Sequence, residues 1–312
     1  MTSTARIGLE NTGSERRARI NFAIFAAVAI AIGWVGVALD EATGQPATIS
    51  LGMGLWFAAP LLVAIVLHRL RPDGAGTLGL TLRFRGRARW FALAAIVYPV
   101  ATALIVLPAI ASGVGVFDAS GSGGSSALIL AMVAVVPGMF LKNTIEELTW
   151  RGFGTRTALA TGMSRLGSHV LLGVIYGLWH LPLYARFMDR AEFGTVTSLS
   201  WPIFVPIFMA GVIATTVVLG EIRLRTGSIW PGVVMHTVGG AVVNTLIVDG
   251  YLRFSGHGDA LFSPAPNSLA FLVVFGIVGA LLLRLGRSVG EDRSPLAIGT
   301  DREPSLTAGD GP

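Results

Sequence analysis

Cysteine is absent from the 312 residues, which excludes disulfides, thiolate nucleophiles and cysteine-ligated zinc. Charge is scarce too, since Asp, Glu, Lys and Arg together make 13% of the chain, about half the share of an ordinary soluble domain. No His-Glu-x-x-His run occurs, so the two-histidine helical zinc site of many metalloproteases does not apply. No Gly-x-Ser-Gly run lies on an apolar segment, and the Gly309-Asp310 pair sits in a polar tail. An intramembrane protease site of the serine or the aspartate type is therefore without a motif. The net charge of +5 is not gathered on one face or in one tail, which argues against nucleic acid as a partner.

What remains is apolar. Hydrophobic residues make 53% of the chain and the mean hydropathy is +0.69, values of a membrane protein. Apolar runs fall at 20–39, 48–67, 90–112, 126–143, 168–185, 200–220, 229–248 and 269–285. Most are about 20 residues, which at ~1.5 Å per residue matches a ~30 Å hydrocarbon core. The expectation is an all-α polytopic membrane protein of about eight transmembrane helices, its membrane domain covering 20–285. Residues 1–19 and 286–312, rich in Ser, Thr, Gly, Pro and charge, read as disordered tails. Arg16, Arg17 and Arg19 precede the first run in the manner of a signal peptide, but Asp40 and Glu41 end it with no small-residue cleavage pattern, so it reads as a retained anchor. Ser120 to Ser126 reads as a flexible outer loop.

With those spans, 20 of the 23 Lys and Arg lie on one side, leaving Arg186, Arg190 and Arg253 on the other. By the positive-inside bias both termini are cytoplasmic.

Against this background, Ile145-Glu146-Glu147-Leu148-Thr149-Trp150-Arg151-Gly152 stands out, because carboxylates at membrane depth are costly. Adjacent residues point about 100° apart on a helix, so Glu146 and Glu147 face different partners. Glu147 and Arg151 are four apart with the acid first, the favourable order for a helical ion pair, and Asn143 extends that stripe one turn back. Glu147 is thus the expected clamp and Glu146 is free to face a cavity. Two histidines lie inside later runs, His180 in Tyr176-Gly177-Leu178-Trp179-His180 and His236 in Val233-Val234-Met235-His236. Counted from the cytoplasmic ends of their runs they sit at ~18 and ~12 Å depth. A carboxylate with two imidazoles can activate water, polarise a carbonyl or ligate a divalent metal. Gly173, Gly177, Gly232 and Gly240 would allow helices to approach closely around them. The competing class is a transporter or scaffold that uses the same charges for proton relay or solute binding.

These motifs resemble the CPBP family, the CAAX protease and bacteriocin-processing proteins also called Abi, which includes type II CAAX prenyl endopeptidases. The family's EExxxR matches Glu146, Glu147 and Arg151, its FxxxH matches Tyr176 to His180 with Tyr for Phe, and its HxxxN/D matches at His236 alone, because Gly240 holds the fourth position. The resemblance covers about residues 140–245. It implies an intramembrane endopeptidase, of metallo or glutamate type, that cleaves a membrane protein or lipidated peptide from the cytoplasmic side of the plasma membrane. In that reading Glu146 activates water, His180 and His236 stabilise the oxyanion or join Glu146 as ligands of a divalent metal such as zinc, and Glu147 and Arg151 hold the geometry. The partners implied are the lipid bilayer and the substrate; the oligomeric state is not legible. Gly240 in place of Asn or Asp opens the alternative of a catalytically impaired scaffold, immunity or transport protein.

Overall fold

A computed structural model describes residues 3–45, 50–82, 84–118 and 124–287. The main helices are α1 (Ser3–Thr43), α2 (Leu51–Leu70), α3 (Ala88–Ala111), α4 (Gly124–Glu147), α5 (Thr155–Ala160), α6 (Arg165–Pro182), α7 (Arg190–Val196), α8 (Trp201–Thr226), α9 (Trp230–Ile247), α10 (Gly258–Phe262) and α11 (Leu269–Arg287). The described residues of each expected apolar run fall mainly on one of them, residues 48 and 49 of the second run lying outside the described residues. Six helical stretches, built on α1, α2, α3, α4, α6 and α8, are long and apolar enough to cross a membrane, and α11 carries a shorter apolar segment. The chain is a multi-pass, all-α membrane protein. Helix α1 begins at Ser3, inside the segment read as an N-terminal tail. Residues 120–123 of the expected outer loop and 288–312 of the expected C-terminal tail lie outside the described residues, while Gly124, Ser125 and Ser126, expected in that loop, form the first turn of α4.

Helix ends follow local chemistry. Ser50 caps α2 by accepting from Met53 N at 3.0 Å, and Ser164 caps α6 by accepting from Gly167 N at 3.1 Å, each satisfying a donor that a helix start leaves free. Gly227, at φ +61°, closes α8 in the left-handed conformation that glycine adopts without a Cβ penalty. Two stretches the periodicity did not announce are three-residue strands, β1 (Gly115–Phe117) and β2 (Leu252–Phe254), paired antiparallel with Val116 opposite Arg253. They form the sole sheet among the described residues and tie the end of α3 to the segment after α9.

Packing runs α1 on α2, α6 on α8, α4 and α3 on α9, and α11 on α8. The α6–α8 contact depends on small residues: a Cβ added at Gly173 would stand 2.8 Å from the Ile213 Cα, a distance that would force the helices apart. An aromatic cluster fills the space beside the site. Trp56 and Trp179 stack at 4.5 Å and exchange indole-to-carbonyl hydrogen bonds of 2.7 and 3.1 Å. Trp150 abuts Tyr176 at 4.7 Å and Trp179 at 5.4 Å, with Phe25 and Phe153 behind it. This places a rigid apolar wall next to the buried carboxylates.

Candidate active site

Glu146 and Glu147 end α4, and the next residues, Leu148–Gly154, form a π-helical turn in which the Thr155 N–H reaches Trp150 O. A second π-helical turn, Leu183–Phe187, follows His180 directly. Such widened turns recur at functional sites because they re-aim the side chains on either side. Here they flank two of the three helices that carry the candidate residues.

Both glutamates are buried, Glu146 at 2% and Glu147 at 0% exposure. Glu146 Oε1 pairs with Lys142 Nζ at 2.5 Å, one helical turn back. Its Oε2 accepts from the Tyr176 hydroxyl at 2.5 Å and lies 3.9 Å from His236 Nε2. Glu147 Oε1 accepts from His236 Nδ1 at 3.1 Å, and its Oε2 is 3.5 Å from Arg151 Nε. One imidazole therefore bridges the two carboxylates, presenting Nδ1 to Glu147 and Nε2 toward Glu146.

Arg151 is wholly buried, and its guanidinium nitrogens make no hydrogen bond among the described residues. It is held by charge, with Glu147 on one side and the Tyr176 ring 5.0 Å from its Cζ on the other, a cation–π arrangement strengthened by desolvation. The expected clamp is thus present as an ion pair. Glu146, expected to face a cavity freely, instead has both oxygens engaged. Neither of two surface cavities, about 290 Å³ beside Arg19 and Thr161 and about 100 Å³ beside Asp40 and Arg186, lies at this cluster.

His180 stands apart from the carboxylates but joins them through Tyr176. Its Nδ1 donates to the Tyr176 carbonyl at 2.8 Å, which leaves Nε2 with its lone pair in the neutral ring. The imidazole packs edge-on against Tyr176 at 4.5 Å and Trp179 at 4.7 Å, and it lies within electrostatic range of Glu146 and His236.

The glycines around His236 have separate uses. A Cβ at Gly232 would fall 2.7 Å from Glu147 Oε2, and one at Gly240 would fall 3.1 Å from Met139 Sδ and 3.8 Å from Asn143 Nδ2. Gly232 lets α9 approach Glu147, and Gly240 leaves room for Met139 and Asn143.

Two further residues join the cluster. Lys142 is one of the charges on the cytoplasmic side, and its spacing of four from Glu146 marks the pair in the chain. Tyr176 supplies the ring that the motif's Phe would, and its added hydroxyl bonds the carboxylate.

The donor set as arranged does not fit a divalent ion at Glu146, His180 and His236. Both Glu146 oxygens already accept from an ammonium and a hydroxyl, and among the described residues no three His, Asp or Glu side chains are grouped to hold one metal.

Two comparisons bear on this geometry. Residues 124–242 match the family model described as Type II CAAX prenyl endopeptidase Rce1-like, a stretch that holds α4, α6, α8 and most of α9 with Lys142, Glu146, Glu147, Arg151, Tyr176, His180 and His236. No curated protein matches the chain.

Proposed function

From the match of residues 124–242 to the family model described as Type II CAAX prenyl endopeptidase Rce1-like, a protease family, we propose that this chain is an intramembrane endopeptidase with Glu146 as its general base. The observation that carries the reading is the buried carboxylate 3.9 Å from the Nε2 of a histidine on another helix. Two acceptors at that separation admit one water hydrogen-bonded to both at about 2.8 Å. The water donates one proton toward Glu146 Oε2 and the other toward His236 Nε2, and its oxygen is left to attack.

Glu146 takes a proton as the water oxygen bonds to the peptide carbonyl carbon and the carbonyl π pair moves to oxygen. The tetrahedral species collapses, the C–N bond breaks with its electron pair leaving on nitrogen, and the amine recovers the proton from Glu146. A carboxylic acid and an amine result, and the acid's proton passes to the amine, leaving a carboxylate and an ammonium. Glu147 orients His236 through Nδ1 and Arg151 balances the charge of Glu147. Tyr176 and Lys142 fix the Glu146 oxygens in place. No step is routed through a metal.

The substrate is a membrane protein or lipidated peptide, since α4 and α6, two of the three helices that hold the site, are themselves apolar enough to lie in the bilayer. An arrangement of eight spans with both termini inside, suggested by the distribution of Lys and Arg, opens the site to the cytoplasm of the plasma membrane. The test is turnover of a library of prenylated and unprenylated C-terminal peptides by purified protein in proteoliposomes, with and without a chelator. Cleavage unaffected by chelator is expected. Cleavage abolished by chelator and restored by zinc would return the metal to the mechanism, and no cleavage of any peptide would refute the protease reading.

A further inference from the structure

The amide of Asn143 is oriented by its neighbour. Lys142 Nζ donates to Asn143 Oδ1 at 3.1 Å, so the Nδ2 end turns the other way. The residue is fully buried, and Nδ2 has no hydrogen-bond partner among the described residues. A buried N–H without an acceptor is unfavourable and persists where something else gives a return.

The surroundings of Nδ2 are specific. It faces Gly240 of α9, where a Cβ would stand 3.8 Å away. Asn143 lies three residues before Glu146 on α4, and Gly240 lies four after His236 on α9, so the free N–H sits about one turn from both groups that hold the attacking water. Met139 lies over the same spot, its Sδ 3.1 Å from the Gly240 Cβ position and 3.9 Å from Asn244 Nδ2. It is an unbranched, half-buried side chain that can swing aside.

We propose that Asn143 Nδ2 is the donor to the scissile carbonyl oxygen, supplied from α4 in place of the amide that the resembling motif carries at position 240. The inference rests on the protease reading above. It also explains Gly240, since a side chain there would occupy the approach of the carbonyl to Asn143. As the water oxygen adds, the carbonyl electron pair moves onto oxygen, and the Asn143 N–H bonds that oxyanion more strongly than it bonds the ground-state carbonyl. Its effect therefore falls on turnover more than on binding.

Steady-state cleavage in proteoliposomes is compared for wild type, Asn143→Ala, Asn143→Asp and Asn143→Ala combined with Gly240→Asn, with thermal midpoints measured on each. Asn143→Asp keeps an oxygen for Lys142 and removes the N–H, so it separates the donor from the packing. Both single variants are expected to lose ~10²-fold in kcat with KM within ~3-fold, and the combination to recover at least ~10-fold, an amide from α9 replacing the one lost from α4. Wild-type turnover with full kcat in Asn143→Asp overturns the proposal and leaves the protease reading standing. So does loss of fold in both single variants, or a combination that regains stability without kcat, since either assigns Asn143 to packing. A wild type without turnover overturns the protease reading, and this proposal with it.

Discussion

Replacing each glutamate by its amide separates the two roles, because the structure surrounds them differently. In Glu146→Gln the amide oxygen still accepts the Tyr176 hydroxyl, now at 2.5 Å from Oε2. The cation it deserts, Lys142, has 44% of its side chain exposed and can turn into a more polar environment. Little stability should be lost, roughly 1 kcal/mol or less, as for a pair with one solvated partner. Turnover should fall by ~10² to 10⁴, the contribution of a positioned general base.

In Glu147→Gln the deserted cation is Arg151, whose side chain is 1% exposed and has no water to turn to. Leaving a buried charge unpaired costs about 3–5 kcal/mol, and the lower end applies because the amide oxygen still faces the guanidinium. At ~1.4 kcal/mol per tenfold, about 3 kcal/mol is a factor of ~10² in the folded ratio, with the thermal midpoint down by roughly 2–4 °C per kcal/mol. Turnover should fall as well, because His236 loses the carboxylate that its Nδ1 bonds. Thermal unfolding and peptide cleavage on the same proteoliposome samples measure both effects. Full turnover in Glu146→Gln, with Glu147→Gln unchanged in midpoint, would refute the assignment of base and clamp.

Gly232→Ala places a methyl 2.7 Å from Glu147 Oε2, and because that carboxylate is held by His236 and Arg151 it cannot yield freely. The expected cost is ~1–3 kcal/mol, as for overpacking elsewhere, with turnover reduced at least ~10-fold by misplacement of His236; a variant with wild-type midpoint and kcat would contradict the close approach of α9 to Glu147. Tyr176→Phe removes one hydrogen bond to a charged group, which should lower stability by ~1.5–3 kcal/mol while turnover survives, since Lys142 and His236 still frame Glu146. Loss of turnover with unchanged stability in that variant would mean that the hydroxyl takes part in the chemistry.

Much of this organisation was legible along the chain. The described part of each apolar run from 20–39 to 269–285 is largely helical, because a segment that must bury its own backbone polar groups in lipid has few alternatives. The spacing of four that pairs Glu147 with Arg151 follows from helical geometry alone, and so, with attention, would the Lys142–Glu146 pair. The turns at Leu148–Gly154 and Leu183–Phe187 left no periodic trace, since one extra residue in a helical turn does not disturb composition. The strand pair at Val116 and Arg253 was hidden for a similar reason, three residues being too few to show alternation.

The sequence by itself determined that the chain inserts in a membrane, that two carboxylates end one helix, and that two histidines lie within others, all of which are properties of neighbours three or four residues apart. Which partner each group meets was decided by tertiary structure alone. The bond from Tyr176 to Glu146 spans 30 positions and that from His236 to Glu147 spans 89. Both depend on how far α6 and α9 are rotated and shifted against α4, a result of the summed packing of Trp150, Trp179, Gly232 and Gly240. A local motif names the reactive groups, but only helices locked at one rotation and depth decide that Glu146 meets a hydroxyl, an ammonium and an imidazole while the Asn143 amide is left with a hydrogen bond to give.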